Sequence, residues 1–129
     1  SGLKTAVKYE VNKNKKINNI FVNDLCASFQ HTVTEILINK TEKAIVFSKK
    51  KNSKINNLVI AGGVAANKKI KKSFVNMCKK YDLQFNSPPL NLCGDNAAMI
   101  AWACLQRYKL GYKGNLYFKP RPRWNLNEL

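Results

Sequence analysis

The sequence predicts an α/β fold built on a parallel strand pair with crossover helices. Three observations carry that expectation. Leu58-Val59-Ile60-Ala61 is a short apolar run with two β-branched residues, closed at once by Gly62-Gly63. It reads as a buried strand that leaves its sheet through a glycine turn. Leu83-Gln84-Phe85 is a second candidate strand, stopped by Pro88-Pro89. Between them Ile70, Phe74, Met77 and Cys78 recur at helical spacing, with lysines on most other positions. That is the pattern of a helix laid on a sheet. Two strands joined through a helix imply a parallel pair with a right-handed crossover.

Along the chain, residues 1–19 open as a short apolar, lysine-containing stretch. They pass into the polar run Asn12-Lys13-Asn14-Lys15-Lys16, a solvated loop by composition. A long helix is predicted over 23–47. Leu25, Phe29, Val33, Ile36, Leu37, Ala44 and Ile45 mostly follow steps of three and four, with Asn23 or Asp24 as cap. His31 falls off that stripe and is expected to be exposed. Lys49 to Lys54 is a basic connector, read as a solvated linker before an RNA contact. Helices are predicted over 67–80 and 96–109. The second is apolar nearly all round, from Ala97 to Leu105, and is expected to pack on several sides, with Gly111 marking its end. The tail 112–129 interleaves Tyr112, Tyr117, Phe118 and Trp124 with Lys113, Lys119, Arg121 and Arg123. Such a mixture suits single-stranded RNA, and equally an arm tied down by its rings.

A chain of 129 residues permits one domain with one core, and its 45% hydrophobic content is that of a globular protein. No apolar run approaches the ~18 residues of a membrane span. The four cysteines, Cys26, Cys78, Cys93 and Cys104, form no CxxC pair. Free, mostly buried thiols in a reducing cytoplasm are expected. Net charge is +16, from 23 basic and 7 acidic residues. Such a surface attracts nucleic acid. Yet 20 of the basic residues are lysine and 17 positions are asparagine, as an AT-rich genome would impose. Part of the charge is assigned to codon composition and part to RNA.

Two positions carry candidate chemistry. Strand, glycine turn and helix start place Gly62, Gly63 and Asn67 in the geometry of a nucleotide contact. Dihedral need at the glycines and helix capping by Asn67 are the plainer alternative. Asp95 heads a helix, where the dipole favours negative charge. It too could be only a cap.

The segments LVIAGGVAAN (58–67) and PPLNLCGDNAAMIA (88–101) share an order with three others: SGLKTAV (1–7), DLCASFQ (24–30) and RPRWNL (121–126). Together they resemble the C-terminal part of the tRNA threonylcarbamoyladenosine-forming transferase family, over nearly the whole chain. The resemblance implies a single C-terminal fragment, residues 1–129, of an actin-like ATPase (ribonuclease H-like) fold. It implies acyl transfer from threonylcarbamoyl-AMP to the exocyclic amine of the adenosine beside the anticodon, in tRNAs reading codons that begin with A. It implies one divalent metal, iron or zinc, held by a residue matching Asp95 together with two histidines of an HxxxH motif. It implies nucleotide contact at residues matching Asn67, Gly62 and Gly63. tRNA, a paralogous actin-like partner and a small ATPase would be its partners, in the cytoplasm and without a membrane. HxxxH and the family's phosphate loop are not in this sequence, whose one histidine is His31. The 129 residues alone are therefore expected to be inactive, with no catalytic residue assigned. Gly94 stands where the bacterial pattern has Thr, which loosens the loop before Asp95. A non-catalytic basic RNA-binding module is the competing reading. Peptidase activity, an older label of this family, is opposed by the lack of HExxH and of a Ser or Cys dyad.

Overall fold

The computed structural model describes residues 2–14, 16–51, 54–115, 117, 119–125 and 127. Expectations at Ser1, Lys15, Asn52, Ser53, Phe118 and Leu126 lie outside the described residues. Residues 1–94 and 95–129 form two compact units.

The first unit opens with α1, Gly2–Lys13, where the sequence was expected to give only a short stretch and a loop. Leu3, Val7 and Val11 explain the helix. They recur every four residues and are its half-buried positions. Leu3 and Val7 line an apolar groove with Leu25, Cys26 and Phe29 of the next helix.

That helix, α2, runs Asn19–Lys50, longer at both ends than 23–47. Its cap is Asn18, not Asn23 or Asp24. The Asn18 Oδ1 accepts from the Phe21 N–H at 2.8 Å. Its buried stripe is also rotated from the expected one. Ile45 and Thr34 are buried, and Val33, Leu37 and Ile38 are partly so, while Phe29, Ile36 and Ala44 are exposed. The Thr34 hydroxyl donates to the Gln30 carbonyl at 2.7 Å, so its burial leaves no unsatisfied donor.

Strand β1, Asn57–Val59, pairs in parallel with β2, Gln84–Asn86, with Leu58 opposite Phe85. Between them lie a 3-10 turn, Gly63–Ala66, and α3, Lys68–Lys80. The parallel pair and intervening helix are as expected, but the strands are shorter and shifted. Ile60 still donates to the Asn86 carbonyl at 3.0 Å, and Gly62 then turns away at φ 92°. At the other strand Leu83 N–H bonds the Cys78 carbonyl at 2.9 Å, closing α3, so the ladder starts at Gln84. Asp82, at φ 53°, takes the left-handed position of this C-terminal motif. The core joins α2, α3 and the sheet through Ile45, Ile70, Phe74, Met77, Cys78 and Leu83. Glu42 of α2 accepts a 3.1 Å ion-paired bond from Lys80 of α3.

The second unit contains α4, Ala97–Lys109. The expectation that it packs on several sides is corrected: no residue of α4 is buried, and Ile100 and Trp102 are each 64% exposed. An all-round apolar helix signals a need for cover. The rest of its unit has no α-helix or strand among the described residues to supply one.

Candidate functional site

Gly62 and Gly63 follow β1 directly, and their roles separate. Gly62 has φ 92°, a region side chains rarely adopt. Backbone geometry alone explains a glycine there. Gly63 lacks such a φ, and a Cβ built on it would meet nothing within 4 Å. Nothing in the described fold demands glycine at 63, and its backbone is open to an approaching group.

Asn67 sits just beyond the turn and caps α3. Its Oδ1 accepts from the Lys69 N–H at 3.0 Å, the Ile70 N–H at 3.2 Å and the Gln30 amide Nε2 at 3.2 Å. Two backbone donors require oxygen at that place, which settles which end of the amide points to the helix. The oxygen is thus saturated. The Nδ2 donors have no partner among the described residues.

Asn67, Gln30 and Gly63 line one cleft of about 320 Å³, walled by Phe29, Val33, Val64 and Ile70. Apolar walls with a few convergent polar groups are the ordinary lining of a small-molecule site. Walls of this kind accept an apolar group, and the Asn67 amide N–H beside them can donate to an acceptor. Sequence reasoning did not single out Gln30 and placed Phe29 in the core. The only signal for either was their membership of the DLCASFQ segment. What brings that segment to Asn67 is the packing of α2 on α3.

Asp95 opens the second unit and is exposed. It does not cap α4. Asn96 does, accepting from the Met99 N–H at 3.0 Å. Among the described residues Asp95 has no hydrogen bond or ion pair, so the capping explanation for it falls away. No group of three or more His, Cys, Asp and Glu among the described residues could hold a metal ion. The side chains described do not make a metal site by themselves.

His31 is exposed on α2, as expected. All four cysteines are free, but only Cys78 and Cys93 are buried, while Cys26 and Cys104 are exposed. Cys26 lies on the outer side of α2, next to the half-buried Leu25. Burial pushes the Cys78 thiol above its usual range. In the basic connector Lys49 donates to the Tyr81 carbonyl at 2.9 Å, a structural tie. In the second unit Arg107 stacks over Tyr112 at 4.5 Å and Arg121 over Trp124 at 5.4 Å, so basic and aromatic residues there pair with each other. No helix among the described residues is long and apolar enough to cross a membrane.

Residues 1–102 match the family described as tRNA N6-adenosine threonylcarbamoyltransferase. The protein of that name from Chelativorans sp. (strain BNC1) is 46% identical over 132 aligned positions, covering 99% of this chain and 36% of its own length. Those of Rickettsia bellii (strain OSU 85-389) and Rickettsia canadensis (strain McKiel) are each 47% identical, over all of this chain and 38% of their own. The chain therefore spans little more than a third of the length of these relatives.

Proposed function

This chain belongs to the tRNA N6-adenosine threonylcarbamoyltransferase family, and on that footing we propose that it forms the nucleotide-contacting part of an acyltransferase that modifies tRNA. In that reaction the exocyclic amine of an adenosine attacks the carbamoyl carbon of threonylcarbamoyl-AMP. The bond to the phosphate oxygen breaks, AMP leaves and the amine loses a proton. The chain's own residues bind and orient. The Asn67 Nδ2 donates to the base or ribose, the Gly63 backbone lies against it, and Phe29 and Val64 supply apolar surface beside it. The observation that carries this reading is the Asn67 amide, whose oxygen is saturated by two backbone N–H groups and Gln30 while its donors have no partner among the described residues.

A parallel pair crossed by α3 suits a partial actin-like ATPase subdomain. Asp95, uncommitted to capping, suits one ligand of an iron or zinc ion whose other ligands would be histidines that this sequence lacks. tRNA, a paralogous actin-like protein and a small ATPase are the proposed partners. Free thiols suit a cytoplasmic setting. The second reading, a non-catalytic basic RNA-binding module, is favoured by the net charge of +16. The whole protein that carries this segment decides between them. Supplied with tRNA, threonine, bicarbonate, ATP and its partners, it is expected to form the modified nucleoside. tRNA retained with no nucleoside formed would establish the second reading instead.

A further inference from the structure

Helix α3 holds six of the chain's 20 lysines within 13 residues and no acidic residue. Its inner face is the core: Ile70, Phe74, Met77 and Cys78 are buried. At ~100° per residue, Lys68, Lys72 and Lys79 lie within about 40° of one another on the opposite side. They span about 16 Å of helix at 1.5 Å per residue. Glu42 engages Lys80. Lys68, Lys69, Lys71, Lys72 and Lys79 are exposed and have no ion pair among the described residues.

This arrangement works against the helix itself. Lys68 and Lys69 stand in the first turn, at the positive end of the helix dipole, where cations are unfavourable. Lys68 repels Lys72 four residues on, and Lys69 repels Lys72 three residues on. A genome that favours lysine codons raises lysine everywhere. It does not account for this density on one exposed face beginning beside Asn67. An anion lying along the face would remove both penalties.

Resting on the reading above, we propose that the outer face of α3, Lys68, Lys69, Lys72 and Lys79, docks the phosphate backbone of the tRNA. The stripe starts at the residue after Asn67 and runs away from its cleft. A tRNA bound there would have its backbone held by one end of the helix while an adenosine is presented to the other side of the cap. Lysine acts as a point charge and reads no base, so the face supplies affinity and orientation, not sequence choice.

The test is equilibrium binding of tRNA to the whole protein across a salt series. K68Q/K72Q/K79Q is compared with K40Q/K43Q/K50Q, which removes the same charge from exposed positions of α2. Glutamine keeps helix propensity, and circular dichroism melts establish that both variants fold. The α3 variant is expected to bind about tenfold more weakly or worse, with the slope of log affinity against log salt shallower by about 2–3. The α2 variant is expected to keep the parent slope. A tRNA outside the substrate set is expected to show the same loss, because the contacts are to phosphate. That arm separates failure of this docking face from failure of the transfer reaction. Equal losses from both variants would mean diffuse attraction and overturn the proposal. So would poly-glutamate binding to the face as well as tRNA does.

Discussion

The Gln30 amide donates to the Asn67 Oδ1 at 3.2 Å, across 37 residues of sequence. This bond ties the middle of α2 to the first residue of the α3 cap. It leaves Asn67 with an oxygen fully used and a nitrogen that has no partner among the described residues.

Asn67 can therefore be divided by substitution. Asn67→Ala removes cap and donor together and should cost about 1 kcal/mol of stability. Asn67→Asp keeps an acceptor for the Lys69 and Ile70 N–H groups and for Gln30, and should be nearly neutral in a denaturant melt. In the whole protein both substitutions should raise KM for the adenylate. Asp behaving like the parent in that assay would make Asn67 a cap and nothing more.

Asp95 and Asn96 divide the same way. Asn96→Ala should loosen the start of α4, because it removes the bond to the Met99 N–H. Asp95→Ala should leave the melt unchanged while abolishing tRNA modification and weakening metal retention in the whole protein. Metal content at the parent level, measured by mass spectrometry, would remove Asp95 from the ligand set.

The four thiols should differ sharply. Cys26 and Cys104 are exposed and should react with a thiol reagent in the native state, while Cys78 and Cys93 react only on unfolding. The Cys78 thiol is raised by desolvation, so its thiolate is penalised in the fold. Below about pH 8.5, the unfolded value, both states keep the proton and this group makes no difference. Above that, the unfolded chain ionises first, and stability should fall as pH rises toward the folded value. Cys78→Ala should flatten that alkaline slope.

Asp82 holds the left-handed position at the end of α3 with φ 53°. Asp82→Gly should be tolerated or stabilising, since glycine takes that conformation without strain. Asp82→Val should cost about 1–2 kcal/mol. Urea titrations of the two variants give the comparison directly.

The 129-residue chain studied alone should be marginally stable and should self-associate as salt rises. Among the described residues its sheet has two strands of three residues, each with an open edge, and α4 exposes Ile100 and Trp102. Repulsion from the +16 charge opposes association, and salt screens it over about 8 Å at physiological strength. A monodisperse monomer in sedimentation at every salt concentration, with a cooperative melt, would contradict this.

The sequence by itself determined the local pieces. Hydrophobic period placed α3 to within a residue, because Ile70, Phe74, Met77 and Cys78 repeat on one face and all four are buried. Short apolar runs located both strands, and the helix between them dictated their parallel sense. It also determined the family, through motifs whose order no single segment could carry. The α1 helix escaped because its Leu3-Val7-Val11 stripe is only three residues long and looks like a brief apolar stretch. Only the tertiary structure decided the contacts that depend on which way α2 faces. Seven apolar positions spaced by three and four leave the rotation of a 32-residue helix open by tens of degrees. Packing against α3 resolved it, burying Thr34, turning Phe29 outward and bringing Gln30 to Asn67. Capping was decided in the same way. Asp95 and Asn96 are equally good caps on paper, and the backbone path before α4 gives the bond to Asn96.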